Sequence, residues 1–101
     1  MTITTTYNDQ TITIERGEYD SPFSNPLAVV AYAGDSLYDQ LSVNLPAYRT
    51  TNDDCFFFSS DSYSQGLIQH LLEEGIIQAT GVSVEYGSFD SSATEYELLA
   101  D

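Results

Sequence analysis

The sequence predicts an α+β domain: a mainly antiparallel sheet of about six or seven strands built from hairpins, with one helix packed on it. Three observations carry that reading. Short runs of β-branched and apolar residues alternate with polar ones along most of the chain. A single stretch, around Leu67, Ile68, Leu71 and Leu72, repeats apolar residues at helical spacing instead. Gly, Asn, Asp and Pro punctuate the chain between these runs. At 101 residues, of which 42% are apolar and 13% aromatic, the chain is read as one domain spanning residues 1–101. A chain of this size buries roughly 60–70% of its unfolded surface.

Residues 2–7 and 11–16 alternate Thr with Ile, and Asn8-Asp9 between them suits a tight hairpin turn because both residues tolerate positive φ. Ile12 and Ile14 face the core, with Thr11, Thr13 and Glu15 outward. Residues 17–26 hold Gly, Asp, Ser, Asn and Pro and read as a loop, anchored by Phe23. Leu27 to Ala33 is a continuous apolar run, as expected of an inner strand. A turn at 34–36 leads into a strand over 37–45, where Leu41, Val43 and Leu45 point one way and Gln40, Ser42 and Asn44 the other. Pro46 ends it, and 48–54 is a second loop.

Cys55 to Phe58 reads as a central strand covered on both faces, feeding the helix. Asp61 or Ser62 is the expected cap, Ser62 and Gln65 have capping-box spacing, and Gly75 occupies the left-handed C-terminal stop. Residues 81–86 and 94–98 then alternate as two final strands. Val82, Val84 and Tyr86 are expected inward and Ser83 and Glu85 outward, while Glu95 and Glu97 share one face. Tyr32, Tyr86 and Tyr96 are the tyrosines expected to fill the core.

The charge sets this chain apart. Sixteen Asp and Glu face two Arg (Arg16 and Arg49) and no Lys, a formal net charge of -14. Like charge in such excess repels itself in the compact state. Solubility or a generally acidic proteome is one account, and a strongly basic partner is the other. The complete absence of Lys favours the partner, because solubility does not require it. With so few cations the chain cannot bind nucleic acid directly by displacing phosphate counterions.

A single Cys precludes an intramolecular disulfide and points to a reducing compartment. No signal-peptide pattern and no apolar run near the length of a membrane span is visible, and an anionic surface is repelled by acidic lipid, so the expected location is cytoplasmic.

Catalytic patterns are absent from the sequence. His70 lies off the apolar helix stripe and is expected to face solvent, and Cys55 is expected to be a small buried thiol, so the two do not form a nucleophile and base. Asp53-Asp54 lacks the spacing of a calcium loop. The expectation is a protein that is no enzyme and needs neither metal nor cofactor.

Ser42-Val-Asn-Leu45, Cys55-Phe-Phe-Phe58, a helix closing at Gly75 and the Thr80-Gly81 step occur in the order found in a small family of uncharacterised proteins from phages and conjugative elements. The chain resembles that family over most of its length. It departs after the Phe run, where Asp61-Ser-Tyr63 stands in place of an Asn-rich, Trp-containing segment. The resemblance implies a mobile-element origin and no known chemistry. By analogy, small acidic proteins of that origin suggest anti-restriction and anti-CRISPR inhibitors that imitate DNA.

The binding residues are therefore sought among surface acids. Alternate residues on a strand place two carboxylates about 6.6–6.8 Å apart on one face, against one phosphate per roughly 3.4 Å along a DNA strand. Glu95 and Glu97 form the leading patch, joined by Glu85 if the last two strands pair and extended by Asp90 and Asp101. Their replacement by Gln or Lys is expected to weaken binding without unfolding the domain. Glu73 and Glu74 lie at the helix C-terminus, where the macrodipole disfavours anions. Glu15, Glu18 and Asp20 form a third group. Tyr19, Tyr48 and Tyr63 sit beside acids, where their rings suit contact with Arg, although packing their own loops down explains them equally. The expected partner is a basic nucleic-acid-binding protein of the host bacterial cell, a CRISPR effector or restriction nuclease. The alternative is an interaction module without mimicry. Monomer and dimer remain equally open.

Overall fold

A computed structural model describes residues 2–18, 27–43, 45, 48, 50–60, 62–86 and 91–99. Seven strands and one helix follow in the order β1 (Thr2–Tyr7), β2 (Gln10–Glu18), β3 (Leu27–Ala33), β4 (Ser36–Gln40), β5 (Cys55–Ser59), α1 (Gln65–Glu73), β6 (Ile77–Tyr86) and β7 (Ser91–Leu98). The α+β class and the strand number match the sequence reading, but the strands form two antiparallel sheets rather than one. The first has the order β1-β2-β3-β4 and the second β5-β7-β6.

The first sheet grows from its turns. Asn8 and Asp9 both take positive φ, 52° and 62°, the geometry of a two-residue hairpin whose twist matches its strands. Ile12 and Ile14 are fully buried beside Leu27, Val29 and Ala31. The expected strand over 37–45 stops at Gln40. There the Leu41 and Ser42 amides both donate to the Val29 carbonyl, at 2.8 and 3.2 Å, and the Ser42 hydroxyl accepts the Val29 N–H at 2.9 Å. Both residues are buried, so the predicted alternation fails. The chain then leaves the sheet and touches the second one where the Val43 N–H meets the Phe57 carbonyl at 2.8 Å.

In the second sheet β7, not the Phe-rich β5, is the central strand. Cys55 to Phe58 is nonetheless buried on both faces. Phe56 and Phe58 join Leu67, Ile68 and Leu71 of α1 and the Ile/Val face of the first sheet in the main core. Phe57 faces the other way, into a smaller cluster with Leu45, Ala93, Tyr48, Val84 and Tyr86. Val43, Leu45 and Tyr48 thus cover the second face, which single-sheet reasoning leaves to solvent. Tyr96 packs on the main core and Tyr86 on the smaller one, whereas Tyr32 belongs to neither. Tyr7 and Tyr38 pack on the main core instead.

Ser64, not Ser62, is the N-cap of α1 and makes no side-chain cap bond. The Ser62 hydroxyl accepts the Ser64 N–H at 3.1 Å and the Gln65 amide donates to the Ser62 carbonyl at 3.2 Å, so the expected capping box is not formed. Asp39 of β4 reaches this end, accepting the Ser64 hydroxyl at 2.5 Å and the Ser62 hydroxyl at 3.3 Å. The C-terminus behaves as expected. Gly75 has φ 73°, and the Ile76 and Gly75 amides return to Leu71 and Leu72 at 3.0 and 3.2 Å, a Schellman closure. His70 is half-buried rather than facing solvent: its Nε2 lies 2.9 Å from the Thr5 hydroxyl and its ring 5.3 Å from that of Tyr7. β6 begins at Ile77, earlier than expected, and its register shifts across Gly81, whose φ is 89°. That irregularity leaves Val82 exposed instead of inward.

Candidate functional site

The leading acidic patch does not survive the fold. Strand alternation correctly places Glu95 and Glu97 on one side of β7, but that side is covered. Glu95 has no exposed surface. Its carboxylate accepts the backbone N–H of Thr51 at 2.7 Å and the hydroxyls of Thr51 and Thr80 at 2.5 Å each. A buried carboxylate is tolerated when its lone pairs are met in this way. Glu95 therefore ties the 50–54 loop to β6 and β7 and is a structural residue. Replacing it with Lys would unfold this corner rather than weaken binding alone. Glu85 also leaves the patch. Val84 pairs with Ala93 and Glu85 with Ser92, so Glu85 lies on the opposite face from Glu95.

A different set of acids lies at one end of the second sheet, with Glu97 on the face turned away from α1. The loop before β5 is ordered by Asn52, whose carbonyl accepts the Cys55 N–H at 3.2 Å and whose side-chain oxygen accepts the Asp54 N–H at 2.9 Å. The Asp54 carbonyl accepts the Leu98 N–H and the Ile76 carbonyl the Leu99 N–H, both at 2.8 Å. The start of β5, the end of β7 and the segment joining α1 to β6 therefore lie side by side, with neighbouring strands about 4.8 Å apart. Asp53 and Asp54 sit on the first, Glu97 on the second, and Glu73 and Glu74 just before the third. Asp53, Asp54, Glu73 and Glu74 are exposed and Glu97 is half-buried.

Glu97 is held by amides, accepting from Gln78 at 3.0 Å and Asn52 at 3.4 Å. Arg16 of β2 meets Asp54 at 2.6 Å and is the sole Arg or Lys among the described residues. Glu74 lies 3.9 Å from His70, and the C-terminal carbonyls of α1 add partial negative charge. Cys55 lies beneath. Burial pushes its thiol above the ordinary value of 9.0; a hydrogen bond with Asn52 opposes this, and Glu95, Glu97 and Asp54 push it further up. It is a protonated, inert thiol.

The remaining candidates divide. Glu15 is exposed on the face of the first sheet opposite Arg16, which pairs with Asp54. Tyr48 packs its own loop, with its hydroxyl donating to the Glu85 carbonyl at 2.5 Å and its ring edge-on to Phe57. Tyr63 is 74% exposed and close to Leu37, itself 62% exposed, through a 2.7 Å bond from its hydroxyl to the Tyr38 carbonyl. Tyr19, Asp20, Phe23, Arg49, Asp61, Asp90 and Asp101, and the side chain of Glu18, lie outside the described residues.

In the sequence Asp53 and Asp54 suggest only a calcium loop whose spacing is missing, and no signal short of the β5–β7 pairing joins them to Glu97. Among the described residues no group of three His, Cys, Asp or Glu is arranged to hold a metal ion, and no helix is long and apolar enough to cross a membrane. No protein-family model, no curated protein and no solved structure matches the chain.

Proposed function

We propose that this is an acidic binding protein, encoded by a phage or other mobile element, that acts stoichiometrically in the host bacterial cytoplasm. It occupies the basic nucleic-acid groove of a defence nuclease, a CRISPR effector or restriction enzyme, and performs no catalysis. One observation carries the reading. The single described Arg or Lys, Arg16, is already paired with Asp54, so the exposed Asp53, Glu73 and Glu74 and the half-buried Glu97 at that end of the second sheet meet no Arg or Lys among the described residues, with only His70 lying 3.9 Å from Glu74. Carboxylates so placed meet Arg and Lys that otherwise hold phosphates, and they compete with DNA by charge. Such an encounter is fast and weakens with salt.

The test is displacement of labelled DNA from purified basic nucleases. Release that diminishes with added salt, and that is lost when the exposed acids are changed to Gln, supports the proposal. Release unaffected by those changes sinks it.

The second reading, an interaction module without mimicry, draws support from Leu37 and Tyr63, two exposed apolar side chains, the second hydrogen-bonded to the carbonyl of the residue after the first. In that case salt has little effect, and Tyr63→Ser abolishes partner binding.

A further inference from the structure

Each sheet has two edge strands, and three of the four edges carry a feature that discourages pairing with another chain. The free side of β5 is met by Val43. β4 is only five residues long, carries Asp39 and has a register shift against β3 at Ala31/Tyr32. β6 is interrupted around Gly81 and carries Glu85. β1 has none of these. Thr2-Ile-Thr-Thr-Thr-Tyr7 is six residues without charge, proline or irregularity, in unbroken register with β2. Among the described residues nothing pairs with its outer side.

Backbone geometry says what that edge offers. Tyr7 and Gln10 close the two-residue turn as a hydrogen-bonded pair, so alternation directs the groups of Ile3 and Thr5 to β2 and those of Thr2, Thr4 and Thr6 outward. We infer that β1 is a self-association edge, pairing antiparallel with β1 of a second copy about a twofold axis at Thr4. In that register Thr4 faces its own counterpart and Thr2 faces Thr6, so every outward backbone group finds a partner. That gives roughly six intermolecular hydrogen bonds. The central cross-strand pair on the outer face is then Thr4 against Thr4, a favourable combination. The pairing joins two four-stranded sheets into one.

A second copy fits better than a foreign strand because the register is self-complementary. It also brings two molecules of charge -14 together at their uncharged strand, whereas a basic partner is drawn to the acidic end instead. Such an edge contact belongs to the small, weak class of interfaces below about 1,200 Å².

Sedimentation velocity on the full chain, in a concentration series reaching roughly 1 mM, is the test. The wild type is expected to dimerise increasingly with concentration and with added salt, because salt screens the repulsion between copies. Thr4→Pro removes one outward donor from each chain, and Thr4→Glu sets like charges face to face. Each is expected to raise the dissociation constant roughly tenfold or more while the circular dichroism spectrum stays native. If Thr4→Pro loses that spectrum, Thr4→Glu alone decides. A wild type that stays monomeric throughout the series, or a dimer that persists in the folded variants, overturns the inference.

Discussion

The Glu95 carboxylate binds the backbone N–H of Thr51 at 2.7 Å, across 44 positions of sequence. It holds the loop that presents Asp53 and Asp54, and so a fully buried acid positions two exposed ones. Glu95→Ala leaves that N–H and the hydroxyls of Thr51 and Thr80 without their acceptor in a buried site. The expected loss is roughly 2–4 kcal/mol of unfolding free energy, read by urea denaturation. An unchanged midpoint would contradict the structural role of Glu95.

Glu73 and Glu74 give the opposite sign. Both are exposed at the C-terminal end of α1, where anions oppose the helix dipole. Glu73→Gln is expected to leave stability unchanged or to raise it by about 0.3–1 kcal/mol, while weakening partner association. A drop in thermal midpoint would show that this acid serves the fold instead.

Cys55 is expected to resist alkylation by iodoacetamide in the native protein and to react once the chain is unfolded, since its thiol is buried and pushed above the ordinary value of 9.0. Burial also raises Tyr38 and Tyr96 above 10.0. In all three the folded state favours the protonated, neutral form. Their stabilisation is complete below the unfolded values and is lost progressively as pH rises past these and through the raised folded ones. Denaturation midpoints should therefore fall above about pH 9, starting with Cys55, and Cys55→Ser should flatten the first part of that fall.

Gly75 at φ 73° closes α1. Gly75→Ala places a Cβ in the left-handed region and is expected to cost roughly 1–2 kcal/mol. Space is not the cause, since no atom lies within 4 Å of the added carbon. A neutral result would mean that the Schellman closure is not held in solution.

Local patterns in the sequence foretold local structure well. The Asn8-Asp9 turn, the burial of Ile12 and Ile14, the Phe run and the Gly75 stop all follow from neighbouring residues and their backbone preferences. What failed depended on distant pairing. Leu41 to Leu45 alternates like a strand, yet Val29 captures Leu41 and Ser42 and turns the chain away. Glu95 alternates with Thr94 and Tyr96 like a surface residue, yet it is enclosed because Thr51 of the loop before β5 and Thr80 of β6 close on its carboxylate. Nothing near Glu95 in sequence announces Thr51 or Thr80. The acidic end was equally hidden, because it depends on β5 choosing β7 as its neighbour.

In the function proposed, the acids at one end of the second sheet compete with DNA for a basic nuclease. The most direct measurement is fluorescence anisotropy of labelled duplex bound to each of a panel of host CRISPR effectors and restriction nucleases. The wild type and an Asp53→Gln, Glu73→Gln, Glu74→Gln, Glu97→Gln variant are titrated in parallel at low and high salt. The account predicts that the wild type strips DNA from at least one nuclease, less efficiently at high salt, and that the folded variant does not. Equal displacement by both proteins, or no displacement from any member of the panel, would contradict it.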